Sequence, residues 1–135
     1  MLNMNQKDLK IILSLKRKKG REEHNLFLIE GFRLIESALS KPSMIKVVYF
    51  NEKFKEKNSL LLKRIISEKI INEIVSTKDL KKVSSTVTPS GIIALCQIPK
   101  REVLNFNHSK WIYLDKVSDP GNLGTLLRSA AWFNF

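Results

Sequence analysis

The sequence holds a single cysteine, Cys96, so no disulfide can form within it and a disulfide-stapled scaffold is excluded. Cys96 closes the apolar run Ile92-Ile93-Ala94-Leu95-Cys96, which predicts a buried, inert thiol and a reducing, cytoplasmic setting. No apolar run approaches the roughly 18 residues that a membrane span requires, so no membrane partner is expected. The opening Met1-Leu2-Asn3-Met4-Asn5-Gln6 lacks the apolar core of a secretory signal. The two histidines, His24 and His108, stand far apart without a ligand pattern, and no metal site is expected. The G-x-G-x-x-G fingerprint of dinucleotide sites is missing. So is the Lys-Ser/Thr pair by which a phosphate loop reaches its phosphates and magnesium. No internal repeat or low-complexity tract is present.

What the chain does have is positive charge. Its 135 residues carry 24 Lys+Arg against 13 Asp+Glu, a net charge of +11, which points first to nucleic acid as a partner. Lys16-Arg17-Lys18-Lys19-Gly20-Arg21 puts five cations in six positions. Such a run can neutralise several phosphates, or it can be a solvated helix end whose cations complement the helix dipole. Arg33 is a second candidate contact. Aromatics are scarce around the basic run, which favours recognition by shape and phosphate over base stacking.

Apolar periodicity and turn residues divide the chain into alternating elements. A helix is predicted from Asn5 to Leu15, and a strand over Leu26–Glu30. Gly31 then turns into a helix over Phe32–Ser40, with Leu34, Ile35 and Leu39 inward. Met44–Phe50 reads as a strand. A helix capped at Asn58-Ser59 runs to about Glu68 with Leu61, Leu62, Ile65 and Ile66 buried. Ile71–Val75 is a strand, and Ser76-Thr77 starts a short helix, Asp79–Val83. Thr86-Val87-Thr88-Pro89-Ser90-Gly91 is a polar loop, and Ile92–Ile98 a further strand. The α-β-α-β-α-β-α-β order predicts an α/β domain over 1–99, with helices covering both faces of a sheet. A polar linker follows over 100–110. A second domain then starts at 111–135, with a strand opening at Ile112, and Trp111 and Trp132 packing between that strand and the helix after it.

Asp119-Pro120-Gly121-Asn122 fits a type II turn, with Gly121 taking the positive φ. Asn122 then stands at a helix start, where its amide can cap free N–H groups, with Arg128 six positions on. Read from the residues alone, Asn122 and Arg128 either line a cleft beyond the end of the strand, where α/β sheets bind ligands, or serve as a cap and a solvated helix residue.

The whole string Leu114-Asp115-Lys116-Val117-Ser118-Asp119-Pro120-Gly121-Asn122-Leu123-Gly124-Thr125-Leu126-Leu127-Arg128-Ser129-Ala130-Ala131 closely resembles the first motif of SpoU-type RNA 2′-O-ribose methyltransferases of the SPOUT superfamily. Phe27-Leu28-Ile29-Glu30-Gly31-Phe32-Arg33 and Thr86-Val87-Thr88-Pro89-Ser90-Gly91-Ile92 resemble the substrate-binding domain of that family. The resemblance implies an L30e-like three-layer α/β/α sandwich that holds RNA, followed by the first strand-helix unit of a knotted SPOUT domain. It implies methyl transfer from S-adenosylmethionine to a ribose 2′-hydroxyl, most often in ribosomal RNA, by a homodimer.

Asn122 would help build the active site and Arg128 would be the catalytic arginine, either assisting loss of the hydroxyl proton or holding phosphate and alkoxide. Lys16, Arg17, Lys18, Lys19, Arg21 and Arg33 would face RNA. Glu30 would orient Arg33 or cap a helix. Family members continue well past this motif into the segments that bind the methyl donor. The expectation is therefore an N-terminal portion that binds RNA but not S-adenosylmethionine. The alternative is a non-catalytic L30e-like RNA-binding module, which would have no need of Asn122 and Arg128.

Overall fold

The computed structural model describes residues 4–100 and 110–135. Most of the expected linker, and His108, lie outside the described residues. The chain divides into two compact units, Met1–Lys100 and Arg101–Phe135.

The first unit is built on a four-stranded mixed sheet in the order β1-β4-β2-β3, from β1 (Leu26–Glu30), β2 (Ile45–Phe50), β3 (Ile71–Ile74) and β4 (Ile92–Gln97). β4 pairs antiparallel with both β1 and β2, and β3 lies parallel to β2 at the edge. Side chains alternate across a strand, so both faces of the two central strands must be apolar if both are covered. They are. Val48, Phe50, Ile92, Ala94 and Cys96 pack on one side with α3 (Phe32–Ala38), α4 (Glu52–Lys57) and α5 (Ser59–Ser67). Tyr49, Ile93 and Leu95 pack on the other with α1 (Gln6–Ser14) and α6 (Thr77–Val83). This is the expected three-layer α/β/α sandwich.

Local details differ from the sequence reading. The basic run is not a bare helix end. It enters a separate helix, α2 (Lys18–His24), whose polar sequence carries no apolar stripe to announce it. The helix α4 also goes unannounced, because Phe54 is its one buried residue. Asn51 caps it, accepting from the Phe54 N–H at 2.8 Å. Asn58 does not cap α5 with its side chain, and its amide donates back to the Phe54 carbonyl at 3.0 Å.

Leu34 and Ile66 were expected inside, yet they are 57% and 59% exposed. Each lies one residue, about 100° around the helix, from the buried line set by Ile35–Leu39 or Leu61–Ile65. Asp79 is a buried acid that ties the N-terminal segment to α6. It accepts from the Met4 N–H at 3.2 Å, the Ser76 hydroxyl at 3.0 Å and the Lys82 ammonium at 2.8 Å.

In the second unit the expected strand at 112–117 is absent. A strand exists through its ladder partners, and no described residue pairs with this segment. The expected type II turn is also replaced. Helix α7 (Pro120–Trp132) begins one residue after Asp119, Pro120 occupies its first turn, and Gly121 is not among the positive-φ glycines. The cap is Asp119, accepting from the Asn122 N–H at 2.7 Å, and not Asn122. Trp111 and Trp132 are exposed rather than packed between strand and helix.

Candidate nucleic-acid interface and catalytic motif

At one edge of the first unit Lys16 and Glu30 both meet the loop after α6. Lys16 reaches this edge from α1, its ammonium 3.4 Å from the carbonyls of both Lys82 and Ser84. It thereby caps the C-terminus of α6 and complements that helix's dipole. Arg21 has a similar duty at α1, donating to the Leu15 carbonyl at 2.9 Å. Lys18 stands 3.7 Å from Glu22 on the same helix, both side chains well exposed, a pair of little energetic weight. Arg17, Lys19 and Arg33 are exposed with no side-chain hydrogen bond or ion pair among the described residues. Two of the six predicted cations therefore hold helix ends, and three of the others point free charge to solvent.

Gly20 permits this arrangement. It is buried within α2, and a Cβ there would overlap the carbonyl oxygen of Ser14 and sit 2.6 Å from its carbonyl carbon. The close approach folds α2 back on the end of α1, which fixes where the cations of the run emerge.

The loop itself is organised by Glu30, at the end of β1. Its carboxylate accepts from the Ser84 hydroxyl at 2.8 and 2.9 Å and from the Thr86 hydroxyl at 3.2 Å. It also accepts from the backbone N–H groups of Ser85 and Ser90, each at 3.3 Å. Glu30 neither orients Arg33 nor caps α3. The next residue, Gly31, takes φ 101° and ψ 155°, a region open to glycine alone, and its N–H donates to the Ile92 carbonyl at 3.1 Å. Arg33 follows on the first turn of α3.

In the second unit a cleft of about 470 Å³ is lined by Lys116, Val117, Ser118, Asp119, Asn122, Thr125 and Leu126. Arg128 does not line it. Its guanidinium folds back along α7 and donates to the Thr125 hydroxyl at 3.1 Å, while that hydroxyl donates to the Gly121 carbonyl at 3.0 Å. Gly124, one turn before Arg128, leaves room for this: a Cβ there would meet the guanidinium at 3.4 Å. Asn122 and Arg128 are thus joined through Thr125, which lines the cleft with one and bonds the other.

Residues 6–94 match the model of the MRM3-like substrate-binding domain, well over half of the chain. The chain belongs to that family. The 23S rRNA (guanosine(2553)-2′-O)-methyltransferase RlmP of Bacillus subtilis is 34% identical over 128 residues, covering 95% of this chain and 47% of the relative. A crystal structure of an RNA 2′-O ribose methyltransferase aligns at 28% identity and TM-score 0.71, over 93% of this chain and 49% of the other. The SpoU methyltransferase AviRb of Streptomyces viridochromogenes, solved with the cofactor AdoMet, shares the fold at 18% identity and TM-score 0.64, over 94% and 49% of the two chains. The chain spans less than half the length of the first curated relatives it matches, 45% and 47%.

Within this MRM3-like domain, sequence reasoning missed the duties of Glu30 and Gly20, and beyond it the link through Thr125. Thr125 was visible as the Thr of the D-P-G-N-L-G-T string, three residues before Arg128 and so on the same helix face. Nothing local announces the role of Glu30, whose partners lie 54 to 60 residues away in the chain.

Proposed function

We propose that this chain carries the RNA-gripping domain and first catalytic motif of an RNA 2′-O-ribose methyltransferase that uses S-adenosylmethionine. Ribosomal RNA is the substrate, the cytoplasm the location, and a homodimer the working form. The observation that carries the reading is the Asp119–Arg128 motif on α7, linked to a domain of the MRM3-like substrate-binding family. A binding module alone has no use for an arginine held by the Thr125 hydroxyl within this motif, which sets the non-catalytic alternative aside.

Arg128 would act on RNA through hydrogen bonds. A guanidinium stays protonated across the physiological range, so donation to the phosphate or developing alkoxide suits it better than taking the 2′-hydroxyl proton. Thr125 fixes its approach, and Asn122 adds a donor and an acceptor to the adjoining cleft. The described residues do not by themselves fit S-adenosylmethionine. Apart from Val117 and Leu126 the cleft lining is polar or charged, with Lys116 an ill-suited neighbour for a cationic sulfonium and little apolar surface for an adenine.

The RNA part of the proposal is tested by titrating the chain against a ribosomal-RNA stem-loop at several salt concentrations. The affinity should fall linearly in log–log form, with a slope near −0.7 to −0.9 for each phosphate neutralised. Flat curves at low salt would sink it.

A further inference from the structure

Glu30 shares Ser84 with Lys16 and stands three residues before Arg33, an anion among cations that the proposed function turns towards RNA, where electrostatics alone would make it a liability. Its setting argues for a purpose. Two hydroxyls and two backbone N–H groups of the Ser84–Ser90 segment converge on its two oxygens. The hydroxyls are further knitted together. Ser84 Oγ and Thr86 Oγ1 lie 3.0 Å apart, the Thr86 N–H donates to Ser84 Oγ at 3.0 Å, and Thr86 Oγ1 reaches the Thr88 carbonyl at 3.1 Å.

The loop is thereby closed on one carboxylate, with both ends fixed. Lys16 holds the Ser84 carbonyl at one end. At the other, the Ser90 hydroxyl donates to the Ile92 carbonyl at 3.0 Å. The same Ile92 carbonyl receives the Gly31 N–H, so the loop and the turn that launches Arg33 share an anchor. What the loop presents outward is Val87, fully exposed at its tip, between Thr86 and Thr88.

We infer that Glu30 is a positioning residue of the RNA interface: it holds the Ser84–Ser90 loop in a single preformed shape between Lys16 and Arg33, so that RNA meets an ordered surface. The inference rests on the RNA-binding reading above and adds to it a residue that touches no RNA itself. Without the carboxylate, four donors lose their common acceptor and the loop must be ordered at the moment of binding, which weakens affinity.

The sign of the effect makes the test decisive. Glu30→Gln keeps the side chain's size and removes one negative charge. Simple electrostatics therefore predicts tighter RNA binding, and positioning predicts weaker binding. The measurement is the affinity of the full chain for a ribosomal-RNA stem-loop, wild type against Glu30→Gln, with amide hydrogen exchange on both free proteins.

The expected result is affinity lower by roughly tenfold, the size of one lost charge-assisted hydrogen bond. Exchange protection should be lost at Ser85 or Ser90, whichever N–H faces the new amide nitrogen, and retained at Ile93 and Leu95 in the sheet, which separates loop release from general unfolding. Ser84→Ala, which removes the hydroxyl shared by both carboxylate oxygens, should act in the same direction and serves if Glu30→Gln does not fold. Equal or tighter binding by a folded variant overturns the inference and leaves RNA binding standing. A flat wild-type titration overturns RNA binding, and the inference with it.

Discussion

Replacing Gly20 by alanine sets two physical effects of opposite sign against each other. On helix propensity alone the change should stabilise α2, since alanine exceeds glycine by about 1 kcal/mol in a helix interior. The structure predicts the reverse. The added Cβ would overlap the Ser14 carbonyl oxygen, lie 2.6 Å from the carbonyl carbon and 2.9 Å from the Ser14 hydroxyl. Two of these three atoms are backbone and cannot rotate aside. That carbonyl also accepts the Arg17 N–H at 3.0 Å, the bond that turns the chain from α1 into α2. Overpacking of this kind costs about 1–3 kcal/mol, and more when backbone must move. The net effect is a loss of up to about 2 kcal/mol after the propensity gain. For a unit of this size each kcal/mol lowers the midpoint by about 4–8 °C. Thermal unfolding followed by circular dichroism reads this directly. RNA affinity should fall as well, because Lys18, Lys19 and Arg21 ride on the displaced helix. A variant melting at or above the wild type would refute the close-approach argument.

Asp79→Asn should destabilise by about 1–3 kcal/mol, as buried donors lose their charged acceptor, measured as the urea midpoint at neutral pH. The Lys82 ammonium, hydrogen-bonded to the Asp79 carboxylate, holds its pKa below the ordinary carboxylate value, and the Ser76 and Met4 donors act in the same direction. A depressed carboxyl stabilises above its unfolded pKa and loses that contribution as pH falls through the folded value. The wild-type advantage over Asp79→Asn should therefore shrink below about pH 4. A gap constant down to pH 2 would contradict this. Burial pushes the Cys96 thiol up to about 11. The native chain should thus resist thiol-specific reagents at pH 8 and react fully once unfolded in denaturant, and rapid native labelling would show the sheet face covered by α3, α4 and α5 to be open.

The layered fold was legible because the strands declare it. In Ile92–Cys96 and Val47–Phe50 both alternating sets are apolar, which requires cover on both faces, and the helices between them supply it. Elements with little apolar content escaped. The helix α2 is Lys-Lys-Gly-Arg-Glu-Glu-His, and its place depends on a glycine contact that no periodicity encodes. Leu34 and Ile66 misled because an apolar residue beside a buried stripe looks like part of it. The 112–117 segment has strand-forming residues, but propensity without a ladder partner makes no strand. At the site, the motif residues could be named from the string alone. Their arrangement could not: the Asp119 cap, the Thr125 link to Arg128 and the Glu30 clamp are all hydrogen bonds whose partners only the fold selects.

A methyltransferase role for this chain is tested by a map of 2′-O-methylated riboses in ribosomal RNA from cells with and without the gene encoding it. One nucleotide should lose its ribose methyl on deletion. The wild-type gene should restore it, and a gene carrying Arg128→Ala should not. An unchanged ribose-methylation map on deletion, or full restoration by Arg128→Ala, would contradict that role.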